Sequence, residues 1–410
     1  MKKNTLAWII TTKNINEFIS PHKFMIEKIC ENFDELMILN LIKLKLYDDY
    51  SFINSKNGRN KFFDENNLFR NKIKILEPEN ENELELFLKN KKIIGINNIG
   101  KSFSDLKIHL ILKKNNIKMI HFGNIGNQQF TQKILKGNII KGLIFGLKTK
   151  ISKKIINLLS IFNIVPKNEI NFSSNLNILK SIEESKIKKF LYKKKLFYSK
   201  KIEIVNSRTH DIFYEQKINT MEESQITYLD FNLNHEFQIS LRGNLEESHI
   251  NRYYENIIKF LKDISKVLDK KVVVCIHPRD NLDDKKKIFK DFEVFQNVTR
   301  ENIVKSYLVV FFESSAIIDA VLMKKRILTL TSDDLDENML NGSNIYRDQL
   351  GISQMNIENY NKLNKDEFIN ELNNNINNYD TYIKKNISPD GNKIGYKKIF
   401  KIIKEDLFSN

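Results

Sequence analysis

The chain has 410 residues, 41% of them hydrophobic, and a formal net charge of +16. That length suits two domains rather than one, and no run of about 18 apolar residues offers a membrane-spanning helix. Only nine of the 67 basic residues are Arg. Arg is the side chain that reads bases and phosphates in fixed geometry, so the charge argues for general attraction to anionic surfaces and against sequence-specific nucleic-acid binding.

In chain order, the first apolar run, Leu6 to Thr12, reads as a buried strand and is too short for a signal peptide. Phe18, Phe24, Met25, Ile29 and Phe33 then recur at helical intervals. Strands follow at 35–41, 72–76, 92–98 and 118–123. Between them lie two helices. One follows Pro78 and starts with Glu79, Glu81 and Glu83, where acids favour a helix N-terminus; the other is capped by Ser102 or Ser104. Residues 130–200 carry the weakest pattern. At their end, "KIKKFLYKKKLFYSKK" (186–201) interleaves eight lysines with Phe190, Tyr192, Phe197 and Tyr198. It reads either as a linker helix with a solvated lysine face or as a surface that rests on anionic lipid.

The second half repeats the rhythm. Strands are expected at 225–231, 271–276, 292–296, 307–312 and 326–330, with a helix whose stripe is Ile250, Tyr254, Ile257, Ile258, Leu261, Ile264 and Leu268. Short continuous apolar runs separated by helices predict parallel sheets covered on both faces. The fold class is therefore α/β, with two doubly wound domains facing one cleft. Their expected extents are 1–200 and 201–410, the second closed by a helix at about 393–407. Cys30 and Cys275 both sit among apolar residues, which predicts no disulfide and fits a reducing cytoplasm.

Polar clusters at strand ends are the candidate site, because ligands of open parallel sheets bind beyond the carboxyl ends of strands. "VVVCIHPRDN" (272–281) ends a buried strand in His277, Pro278 and Arg279. Proline stops the strand, while the imidazole and guanidinium can donate to a phosphate. "YLVVFFESSAIIDA" places Glu313, Ser314 and Ser315 between a strand and a helix start, where unpaired amides and hydroxyls favour an anion. Glu313 can accept from a ribose hydroxyl. Asp230, at the end of the first strand of this half, is a candidate general base or a plain turn residue. In the first half, Asn97, Asn98, Gly100, Gly123 and Asn124 lie past strand ends and suit an acceptor sugar, or are ordinary loop residues. There is no Walker A loop, no GxGxxG, no GxSxG and no zinc spacing, so no metal ligands are assigned; "SDDLDEN" (332–338) lacks the EF-hand spacing.

The order strand–His277-Pro278, then strand–Glu313-Ser314-Ser315–helix, resembles the GT-B-fold glycosyltransferases, with two Rossmann-like domains. It is similar in particular to bacterial sialyltransferases and Kdo transferases that use CMP-activated sugars, and to the CDP-glycerol polyol-phosphate transferases. The resemblance covers roughly residues 225–330. It implies that His277, Pro278, Ser314 and Ser315 hold the nucleotide phosphate and that Asp230 is the base. It also implies a nucleotide-sugar donor, most closely a CMP-linked 2-keto sugar acid, and a glycan or glycolipid acceptor. No further cofactor or metal is implied, and the location is cytoplasmic or on the inner face of the membrane. These families often carry an acidic pair followed by glycine; here Asp230 precedes Phe231 and Asn232. A sugar-nucleotide epimerase of the same fold and a merely anion-binding basic protein are the alternatives.

Overall fold

The computed structural model describes residues 4–11, 15–45, 71–89, 91–100, 102–123, 151–152, 154–194, 199–216, 223–231, 233, 246–278, 280–335, 337–360 and 364–409. They form two compact units. The first comprises the described residues up to Ile212 together with those from Ser388 onward; the second is Phe213–Ile387.

The first unit holds seven parallel strands: β1 (Asn4–Ile10), β2 (Glu35–Asn40), β3 (Ile73–Leu76), β4 (Lys92–Asn97), β5 (Lys118–Phe122), β6 (Asn168–Ser173) and β7 (Ser199–Ile204). Their spatial order is β3-β2-β1-β4-β5-β6-β7. Strand alternation sorts the core into two layers. Leu6, Trp8 and Ile10 of β1 face one hydrophobic cluster, with Ile26 and Ile29 of the helix Ile15–Asn32 and with Phe33 just past its end. Ala7 and Ile9 face the other, with Leu84 and Leu88 of Glu81–Leu88 and Ile108 and Leu112 of Leu106–Lys114. The helix starts follow local chemistry. Asn80 accepts from the Glu83 amide, and Ser102 forms a reciprocal cap with Asp105.

The second unit holds six parallel strands: β8 (Gln225–Leu229), β9 (Lys271–Ile276), β10 (Glu293–Gln296), β11 (Ser306–Phe311), β12 (Arg326–Thr331) and β13 (Gln354–Asn356), in the order β10-β9-β8-β11-β12-β13. The helix Glu247–Leu268 buries Tyr253, Tyr254, Ile257, Phe260, Leu261, Ile264 and Leu268, close to the expected stripe. In both units the chain starts at a central strand, winds one way, then returns to that strand's other side. Each unit is therefore doubly wound, with a topological switch at β1/β4 and at β8/β11.

Two features differ from the sequence reading. β6, β7 and β13 were not anticipated. β6 buries Asn168, Asn171 and Ser173, and β7 is an edge strand with Lys200 and Lys201 exposed, so neither has the apolar run of a central strand. The closing helix, Gly395–Ile402 with wider turns to Phe408, belongs to the first unit instead of the second, and the chain crosses over at Ile212/Phe213. The reason is side-chain chemistry. Tyr396, Ile399, Phe400, Ile403, Leu407 and Phe408 complete the first unit's core, with Phe400 edge-on to Phe33 at 5.3 Å. Asp211 accepts from the Gly395 and Tyr396 amides at 2.7 and 2.9 Å, which caps that helix. Both cysteines are free and buried, and burial pushes each thiol up to about 12.

Candidate functional site

β8, β9 and β11 are adjacent and parallel, so the residues just past their carboxyl ends share one edge of the second sheet. Those residues are Asp230 after β8, His277 after β9, and Glu313 with Ser314 and Ser315 after β11. β9 and β11 flank β8. Their ends are thus two strand spacings apart, about 10 Å, and straddle the switch point. The fold brings together the two segments that the sequence singled out.

The β9 turn is built to present His277. The Asp280 amide donates to the His277 carbonyl at 2.9 Å, closing a tight turn. Gln296, the last residue of β10, donates its amide to the carbonyls of His277, Pro278 and Asp280 at 3.4, 3.3 and 2.9 Å. Asn281 then caps the helix Leu282–Ile288 by accepting from the Asp283 and Asp284 amides. His277 and Pro278 are left exposed. Arg279 lies outside the described residues.

Asp230 takes a different place from the one expected of a base. Its side chain is 0% exposed and accepts from Lys285 Nζ at 2.5 Å. Tyr228 donates to its other oxygen at 3.4 Å, and Lys285 also donates to Tyr254 at 2.5 Å, lying 4.7 Å from that ring's centre. Burial pushes the Asp230 carboxyl up, and the Lys285 ammonium opposes it. A carboxylate so enclosed cannot meet an acceptor hydroxyl; it anchors the helix Leu282–Ile288 beneath the His277 turn.

Asp280 is the carboxylate that the sequence reading passed over. Its Oδ2 is buried without a hydrogen-bond partner. Burial pushes its carboxyl up to about 6, with Lys285 pulling it down and Asp230 pushing it further up. One ammonium therefore serves two carboxylates, and Asp280 is the one that is less enclosed. The signal available was its place in "HPRD", directly before the helix cap.

At the β11 end, Ser314 Oγ accepts from the Ala316 amide at 3.3 Å, closing a local turn just ahead of the helix Ile317–Leu322, which has no side-chain cap. Its O–H still has a proton to donate. Ser315 is exposed. The Glu313 carboxylate lies against Gly342 of the helix Glu337–Leu350, where a Cβ would overlap it.

The acceptor candidates of the first unit are differently placed. Asn97 donates to Asn168 Oδ1 at 3.1 Å, accepts from the Ile99 amide at 3.1 Å and offers its carbonyl to the His121 ring at 3.0 Å. Asn98 is exposed past the end of β4. The bare Cα of Gly100 admits the Asp105 carboxylate, and that of Gly123 admits Asn171. Asn124 lies outside the described residues. A cavity of about 690 Å³ lies elsewhere, at the amino ends of β4 and β5, lined by Lys92, Lys118 and Leu407 among others. Ligands of such sheets bind at the opposite edge, so it is not taken as the site. Among the described residues, no cluster of three or more His, Cys, Asp or Glu could hold a metal, and no helix is long and apolar enough to cross a membrane.

No protein-family model matches the sequence, and no curated protein matches it significantly. Solved structures do. The wall teichoic acid polymerase TagF aligns over 99% of this chain and 90% of its own at 12% identity, with a TM-score of 0.53. Arabidopsis thaliana UGT89C1 aligns over 98% and 99% at 11% identity, TM-score 0.52. A putative UDP-N-acetylglucosamine 2-epimerase from Listeria monocytogenes aligns over 100% and 98% at 12% identity, TM-score 0.47. At such identities the likeness to TagF and UGT89C1 is one of fold: the chain has the two parallel-sheet α/β domains of the GT-B class.

Proposed function

We propose that the protein is a glycosyltransferase that takes a nucleotide-activated donor at the carboxyl edge of its second sheet. The observation that carries this is the convergence of the β9 and β11 ends on either side of β8, with an imidazole on one and two hydroxyls on the other. In this reading the nucleotide phosphate lies between them. The acceptor's hydroxyl oxygen attacks the anomeric carbon as the bond to the phosphate oxygen breaks. His277 and the hydroxyls of Ser314 and Ser315 stabilise the charge that develops on the leaving phosphate. The acceptor proton passes to Asp280, whose raised affinity for protons suits a general base near neutral pH. Asp230 and Lys285 hold the turn in place. Asn98 is the acceptor-side candidate of the first unit.

The motif resemblance supports a CMP-linked 2-keto sugar acid as donor and a surface glycan or glycolipid as acceptor. A second reading is a polyol-phosphate transferase, with attack at phosphorus in place of carbon. It is favoured by the likeness to TagF, one structure of which was obtained with CDPG. Calorimetry and donor turnover over CMP-, CDP-, UDP- and GDP-linked compounds test both, and product analysis for a glycosidic or a phosphodiester bond separates them. Absence of both nucleotide binding and turnover across the panel removes the proposal.

A further inference from the structure

The helix Lys186–Lys193 of the first unit buries none of its residues. Ile187 is 73% and Phe190 57% exposed, which is unusual for large apolar side chains at neighbouring helical positions. The helix is fixed on its inner side. Tyr192 OH accepts from the Ile202 amide of β7 at 3.3 Å, and Lys188 Nζ donates to Ser181 Oγ. At about 100° per residue, the side opposite Lys188 and Tyr192 carries Phe190 at its centre, Ile187 to one flank, and Lys186, Lys193 and Lys194 around them. No acidic residue lies between positions 186 and 194. Ser185 caps the helix through the Lys188 amide, so this crest is formed before any partner arrives.

We infer that this crest docks the protein on a membrane surface containing anionic phospholipid, with Phe190 and Ile187 entering the headgroup boundary and Lys186, Lys193 and Lys194 meeting lipid phosphates. An apolar tip within a ring of cations matches an interface that is greasy below and negative above. Two apolar side chains on two helical turns are too small an area for a stable protein partner. A nucleic acid would use the lysines and leave the aliphatic Ile187 without a role.

The test is co-sedimentation of the full chain with vesicles of phosphatidylcholine alone and with vesicles rich in phosphatidylglycerol. Binding is expected only to the second. The triple variant Lys186→Gln, Lys193→Gln and Lys194→Gln should lose about fivefold per lysine, or roughly a hundredfold in partitioning. The double variant Ile187→Ser and Phe190→Ser keeps all the charge and should still lose on the order of tenfold. All five positions are exposed, and far-ultraviolet circular dichroism of each variant checks the fold. Equal binding to both vesicle types overturns the inference. So does unaltered binding of either variant, or retention by nucleic acid or an acidic protein with no binding to vesicles.

Discussion

At the carboxyl edge of the first sheet, both atoms of the Asn97 amide are taken by neighbours within the unit, and Gly100 and Gly123 make room for Asp105 and Asn171. At the same edge of the second sheet, His277 and Ser315 are exposed, and an oxygen of Asp280 is buried with no hydrogen bond. The two units share one winding, so the fold alone does not set this difference. It follows from what each edge does with its polar atoms. An Asp105 oxygen at the first edge is also buried without a hydrogen bond, 3.4 Å from the Lys45 ammonium, so what sets the second edge apart is that His277 and Ser315 stand exposed where a ligand can reach them. The substitutions below separate the two roles.

The largest effect is expected on stability, within the second unit. Asp230→Ala leaves the Lys285 ammonium buried without its carboxylate and should cost about 3–5 kcal/mol. Pairing it with Lys285→Met should recover most of that. Denaturant unfolding measures both, and a single variant as stable as the parent would return Asp230 to the list of candidate bases. His277→Ala comes next. It should lower kcat/KM for the nucleotide donor by about 10²–10³-fold with the melting temperature unchanged, whereas Asn97→Ala should leave turnover alone. Equal losses from both would erase the contrast between the edges.

The pH dependence is smaller and has a definite sign. The Asp280 carboxyl is raised to about 6 in the folded chain, by burial first, with Lys285 lowering it and Asp230 raising it. The folded state thus binds the proton more tightly than the unfolded chain, where an aspartate titrates near 4. The stabilisation is complete below that value and is lost as pH rises through about 6. Melting temperature should fall over this window while turnover rises, because the base must be ionised. Asp280→Asn should flatten the first curve and abolish the second. A rising rate profile kept in Asp280→Asn removes the residue from catalysis.

The smallest effects distinguish support from binding. Asn97→Ala should cost about 1 kcal/mol of stability, the worth of an ordinary buried hydrogen bond. Gly342→Ala should gain up to about 1 kcal/mol from helix propensity, because the group it meets is the movable end of Glu313. The displaced Glu313 should raise the KM for the donor. A stabilised variant with unaltered KM would show that Glu313 does not touch the nucleotide.

The sequence by itself determined the class of fold and the strand ends at which the candidate residues lie. Continuous apolar runs and helical stripes are local signals, and they place most of the central strands within two residues. The strand-end position of His277 and Ser314 was legible because strand termini of parallel sheets carry function whatever packs around them. The tertiary structure decided what depends on distant partners. By position alone Asp230 reads as a base or a turn residue, whereas Lys285, 55 residues on, closes over it. The last helix belongs to the first unit, a placement that only the side chains of Phe33 and Asp211 reveal, because they meet its apolar face and its amides. β6 and β7 escaped notice because buried amides and edge lysines blur the apolar run that marks a strand. Asp280 carried no sequence signal stronger than its position, since an unsatisfied oxygen becomes visible only when every neighbour has been placed.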